Sequence, residues 1–132
     1  MTTTRFYPAI FEPEDVGYSV LFPDLPGCGT QGDTLAEALS MAQEAIGLYL
    51  EGTAPKNYPA PSDPAALHPE GRQFLMVVPF DQLAYDKKYN AKAVKKTLSI
   101  PAWLNNLAKA NNINFSSVLQ NALCRELHIQ ST

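Results

Sequence analysis

The sequence predicts an α+β chain: a small antiparallel-rich sheet with one covering helix, then a C-terminal module of one strand and two helices. Three observations carry this. Two strand-like runs, Phe6–Phe11 and Gly17–Phe22, flank a turn. A well-capped amphipathic helix follows from Thr34 to Gly52. The tail from Val94 switches to a short alternating run and two short apolar-striped helices.

In the first strand, Pro8 argues for an edge or a bulge. Glu12–Val16 is a turn, so the first two strands form an antiparallel hairpin. Pro23–Gly29 is a tight turn, and Gly29–Gly32 has room for a very short third strand. Thr34 with Glu37 makes a capping box, and Leu35, Ala38, Leu39, Ala42, Ile46 and Tyr49 form one apolar stripe. Gly52 closes the helix. Residues 53–72 hold five prolines and read as an extended loop. Gln73–Pro79 is a continuous apolar run, read as a buried strand. The expected organisation is a first domain over 1–80, a linker over 81–93 with room for a helical turn or two, and a module over 94–132.

The module is one strand, Val94–Pro101, and two helices, about 102–110 and 115–127. Alternation puts Leu98 and Ile100 on one side of the strand and Lys95, Thr97 and Ser99 on the other. The first helix buries Trp103 or Leu104, Leu107 and Ala108. Asn111–Asn112 breaks it, and Asn114 caps the second. One strand and two short helices cannot close a core, so a second copy is needed. The expected dimer core is Leu98, Ile100, Val118, Leu119, Ala122 and Leu123. This layout resembles the ribbon-helix-helix family of DNA-binding dimers, whose paired strands fit the major groove. The resemblance makes Lys95, Thr97 and Ser99 base readers. The amides near Phe115, Ser116 and Ser117 would hold a phosphate at the second helix start. Lys87, Lys88, Lys92 and Lys96 would add phosphate contacts.

Composition narrows the function classes. The chain has 132 residues, 45 % of them hydrophobic, which suits one domain plus a module and argues against wholesale disorder. No apolar run approaches the roughly 18 residues of a membrane span, and Met1–Arg5 lacks a leader's apolar core, so a cytoplasmic protein is expected. Cys28 and Cys124 are expected as free thiols. The net charge of −3 is split: residues 1–80 hold three basic and ten acidic residues (−7), and residues 81–132 hold seven and three (+4). The basic end suits a polyanion and the acidic end a basic protein. His68 and His128 have no nucleophile or acid at motif spacing, and no metal or cofactor pattern is present. Cys28 reads as a small buried thiol at a turn.

The run from Tyr7 to Phe11, the phrase Gly17–Cys28 containing Pro23-Asp24-Leu25-Pro26-Gly27-Cys28, and Gly32-Asp33-Thr34-Leu35-Ala36-Glu37-Ala38-Leu39 together resemble the HicB antitoxin family. The tail from Val94 to Leu123 is similar to the ribbon-helix-helix tail of one branch of that family. The resemblance implies a partial ribonuclease-H-like domain that binds HicA, a small basic RNA-cleaving toxin. It also implies a module that dimerises and binds the operator DNA of the pair's own operon. Active ribonuclease-H-like enzymes carry a metal-binding acid on the first strand. Phe6–Phe11 has none, so the domain is expected to be non-catalytic. Charge and position near the sheet edge and helix make Tyr18, Asp24, Glu37 and Glu44 the candidate toxin contacts. Two alternatives stand beside this reading: a stand-alone repressor without a toxin, and an enzyme or ligand sensor built on the first domain. The sequence leaves open whether dimers pair into tetramers.

Overall fold

Tyr7, Ala9 and Phe11 alternate along the first strand and are fully buried, which fixes the inward face of the sheet. In the computed structural model, residues 4–130 are described; Met1–Thr3, part of the segment read above for a leader, lie outside them. The elements are β1 (Thr4–Pro13), β2 (Tyr18–Leu21), β3 (Gly29–Gly32), α1 (Leu35–Leu50), β4 (Phe74–Asp81), α2 (Gln82–Tyr89), α3 (Ala102–Ala110) and α4 (Phe115–Glu126). The sheet is antiparallel throughout, in the order β3-β2-β1-β4. The chain divides into two compact units, Met1–Lys92 and Ala93–Thr132.

Pro8 sits in a strand that is internal to the sheet order. β2 pairs with β1 only over Ile10–Pro13, while β4 pairs over Thr4–Phe11. Pro8 therefore lies in a stretch with a ladder on one side, where a missing donor is tolerated. The tight turn after β2 is a core plug. Phe22 and Leu25 are buried, and the turn is closed by Leu25 N–H to the Phe22 carbonyl (3.2 Å) and Cys28 N–H to the Leu25 carbonyl (2.8 Å). Gly27 takes φ +81° there, a conformation that favours glycine.

Helix α1 begins where the capping box placed it, with the Thr34 hydroxyl accepting from the Glu37 amide at 3.1 Å. Its inward stripe is Ala38, Ala42, Ile46, Gly47 and Leu50, with Leu39 partly buried, whereas Leu35 and Tyr49 are exposed. The stripe turns toward Gly47 because α2 packs there through Tyr85. A Cβ on Gly47 would stand 2.1 Å from the Tyr85 ring. Residues 81–93 are expected as a linker with room for a helical turn or two; Gln82–Tyr89 form the helix α2, and its Tyr85 joins the core beside Phe80.

The proline-rich loop is tied down by side chains. Tyr7 donates its hydroxyl to the Pro59 carbonyl at 2.7 Å, and the Arg5 guanidinium lies 4.8 Å from the centre of the Tyr58 ring. The Tyr58 hydroxyl bonds the Gln82 side chain. Residues 94–100, expected as a strand, make no ladder within this chain. A lone strand has no backbone partner of its own.

Two predictions follow from the core. Gly47→Ala should destabilise the protein by about 1–3 kcal/mol through overpacking, with part of the loss recovered on a Tyr85→Ala background. A denaturant-unfolding cycle on the four proteins measures it, and additive losses would contradict the contact. Second, burial is the leading cause that raises the pKa of Tyr7, Cys28, Tyr58 and Tyr85. The folded state holds these protons more tightly than the unfolded chain. Their contribution to stability is therefore complete below the ordinary values, 9.0 for the thiol and 10.0 for the phenols, and is lost as pH rises beyond them. The melting temperature should fall between about pH 8 and about pH 11; an unchanged value would contradict the burial argument.

Candidate functional site

No described residue of the unit Ala93–Thr132 is buried. Leu98 is 61 % exposed, Val118 54 % and Leu123 51 %, with Ile100, Leu107 and Phe115 also exposed. α3 and α4 are joined by a turn in which Asn112 takes φ +55°. The Asn111 side chain donates to the Leu107 carbonyl at 2.8 Å, and the Asn114 side chain accepts from the Ser117 amide at 3.1 Å.

The apolar side chains gather along one groove of about 600 Å³. Leu98, Ile100, Leu104, Ala108, Val118, Leu119 and Ala122 line it, with Ile113 and Phe115 from the turn. Leu104, not Trp103, is the α3 residue on this side; Trp103 is 68 % exposed. Of the segment before α3, only Lys96, Leu98 and Ile100 line the groove, so the even-numbered side chains share one side. Lys95, Thr97 and Ser99 are exposed and outside that lining. Leu123, expected in the same apolar core, is not among the lining residues.

At the start of α4 the Ser117 amide is already taken by the Asn114 cap. The other two amides expected to hold a phosphate are those of Phe115 and Ser116. Lys87 and Lys88, expected to help hold phosphate, lie on α2 within the first unit, and the Lys88 ammonium lies 5.2 Å from the centre of the Tyr89 ring. Lys92 is the last residue of that unit.

The structure separates the four residues proposed for partner binding in the first unit. Tyr18 is half-buried, its ring edge-on to Phe74 at 5.9 Å. Asp24 accepts from the Ser62 amide at 2.8 Å and from the Ser62 hydroxyl, so it anchors the proline-rich loop. Glu37 and Glu44 share one side of α1; Glu37 is exposed and Glu44 half-buried. Cys28 is buried and free, its thiol directed to the Ala45 carbonyl at 3.6 Å, and burial pushes its pKa up. Cys124 is also free. Among the described residues, no group of three or more His, Cys, Asp or Glu could hold a metal ion, and no helix is long and apolar enough to cross a membrane.

Sequence reasoning missed the groove between α1 and α2, because it gave α2 no certain place. Gln43, Glu44, Asp81, Tyr85, Lys88 and Tyr89 line it. The signal was present: Asp81 caps α2 through the Leu83 and Ala84 amides, and Tyr85 and Tyr89 are four residues apart. Asp24→Ala should cost about 1–2 kcal/mol of stability by freeing the loop, as read in thermal unfolding. An unchanged melting temperature would show that the Ser62 bonds contribute nothing.

The family model for the HicB-like antitoxin of bacterial toxin–antitoxin systems matches residues 7–122. An uncharacterized 14.9 kDa protein of Haemophilus phage HP1 is 36 % identical over 102 residues, 74 % of each chain. Antitoxin HicB 2 of Photorhabdus laumondii is 48 % identical over 46 residues, which are 35 % of this chain and 33 % of that one. Among solved structures, a chain of a toxin–antitoxin complex from Streptococcus pneumoniae aligns with TM-score 0.56 and 28 % identity, covering 93 % of this chain and 99 % of that one. The HicB antitoxin of Burkholderia pseudomallei aligns with TM-score 0.51 at 22 % identity, covering 93 % and 98 %, a likeness of fold.

Proposed function

The chain belongs to the HicB-like antitoxin family of bacterial toxin–antitoxin systems, and from that premise we propose that it neutralises a HicA-type RNA-cleaving toxin by direct binding and represses its own operon. The first unit binds the toxin and acts without catalysis. The second unit pairs with its copy as a ribbon-helix-helix module and binds operator DNA. The ribonuclease-H-like description of the sheet rests on the resemblance; β4 runs antiparallel to β1.

One observation carries the proposal: a unit with no buried side chain among its described residues, many of whose exposed apolar side chains line one groove. Exposed apolar area of this kind is a liability unless a partner covers it. A second copy supplies the same groove and the same unpaired segment. A two-stranded ribbon would then present Lys95, Thr97 and Ser99 together on its outer side. Lys pairs with guanine acceptors, and the hydroxyls bond to any base. The unit Ala93–Thr132 carries four basic residues against one acidic, a balance suited to a phosphate backbone. Met1–Lys92 carries six basic against twelve acidic, which repels nucleic acid and favours a basic protein.

The test is co-expression with the adjacent reading frame, scored by pull-down, rescue of growth and binding to the operon's upstream DNA. Complex formation with rescue supports the antitoxin role. DNA binding without any protein complex would favour a stand-alone repressor. Lys95→Ala with Thr97→Ala should weaken operator binding about tenfold or more while leaving toxin neutralisation unchanged. Equal loss of both activities would contradict a division of labour between the units.

A further inference from the structure

One side of α1 carries residues that the core does not use. Glu37, Met41, Glu44, Leu48 and Glu51 follow one another at steps of four and three, which lines them up along a single helix face. The sheet-facing line is a different one, Ala38, Ala42 and Ile46, all fully buried. On the outer line Glu37 and Glu51 are exposed and Glu44 is half-buried. Met41 is 37 % exposed and Leu48 58 %. α1 contains no Lys or Arg, so these carboxylates have no basic partner on their own helix.

This line borders the groove of about 180 Å³ between α1 and α2. Glu44 belongs to both. Tyr85 and Tyr89 form one wall, their rings 4.8 Å apart, and Asp81 lies at the lip. Glu51, Glu44 and Asp86 all face the Tyr85 phenol closely enough to add to the effect of its burial on its pKa. Aromatic faces beside carboxylates favour a cation, through charge and through the ring quadrupole. Lys88, over the Tyr89 ring, occupies one such position already.

A solvated helix face is the ordinary explanation for surface carboxylates, and single exposed apolar residues are normal. Here two large apolar side chains lie within a line of three carboxylates and lead into an aromatic groove. We propose that this α1 face and the α1–α2 groove are the surface by which the first unit holds its toxin. The partner presents a basic surface with apolar residues at its centre, and one Lys or Arg enters the groove beside Tyr85 and Glu44. The inference rests on the antitoxin reading and names the site within it. A second copy of this face is a poor occupant, because like charges would meet. Nucleic acid is repelled for the same reason.

The test uses the full chain and the toxin encoded by the adjacent reading frame. The variant Glu37→Lys/Glu44→Lys/Glu51→Lys reverses the line. Association should slow at least about tenfold at low salt, with a weaker salt dependence than the wild type, because steering is lost. Met41→Ala/Leu48→Ala should speed dissociation several-fold, while circular dichroism and melting stay near wild type. The competing surface is the outer sheet face, where Phe6, Leu21 and Val77 are exposed. Leu21→Lys/Val77→Lys reads it and should leave binding unchanged. Wild-type kinetics in both helix variants would overturn the proposal, as would loss of binding confined to the sheet variant. A wild-type chain that neither binds nor rescues would instead overturn the antitoxin reading itself, an outcome visible before any variant is made.

Discussion

Residues 93–130 leave most of their apolar side chains exposed, and the proposed function turns on this constraint. At roughly 25 cal/mol per Å² of apolar area, groove-lining residues such as Leu98, Ile100, Val118 and Leu119 offer several kcal/mol on burial. Much of it is unrealised within this unit, where Leu98 is 61 % and Val118 54 % exposed. The segment before α3 has the same problem in its backbone, since it makes no ladder of its own. On the proposed reading, both needs would be met by the same event, pairing with a second copy. The same pairing would form the proposed ribbon, so that oligomerisation and DNA recognition would be one property.

The first unit is built on the opposite principle. Its core from Tyr7 through Tyr85 closes within the unit, and among the described residues no buried side chain is charged. Cys28, Asp24 and the glycines near the motif phrase have structural work. The thiol packs under α1, the carboxylate ties down the proline-rich loop, and Gly32 lets β3 approach α1, where a Cβ would meet the Ala38 amide at 2.4 Å. The phrase that carries the family resemblance is thus mostly a recipe for turn, cap and close packing.

Local chemistry explains what the sequence showed and what it hid. The Thr34–Glu37 cap, the hairpin and the short third strand were legible, because turn and cap residues act within a few positions. The orientation of α1 was not. Its inward stripe ends at Gly47 and Leu50, and not at Tyr49, because Tyr85 arrives from a helix about forty residues later. Pro8 pointed to an edge; the structure shows a locally one-sided strand inside the sheet, a distinction only the β1–β2 register reveals. The alternation of Lys95 to Ile100 was legible as chemistry, yet the segment makes no ladder within this chain. Among the candidate partner residues, Glu37 and Glu44 came to share a surface and Asp24 did not, since its bond to Ser62 spans thirty-eight positions.

Amide hydrogen exchange across residues 94–100, followed as the full-length chain is diluted, tests the central constraint most directly. The account predicts protection of alternate amides in this stretch that weakens with dilution, together with protection of α4. Exchange at unstructured rates at every concentration would contradict it, because the segment would then have no partner strand. Protection independent of concentration would also contradict it, because the pairing would then lie within one chain.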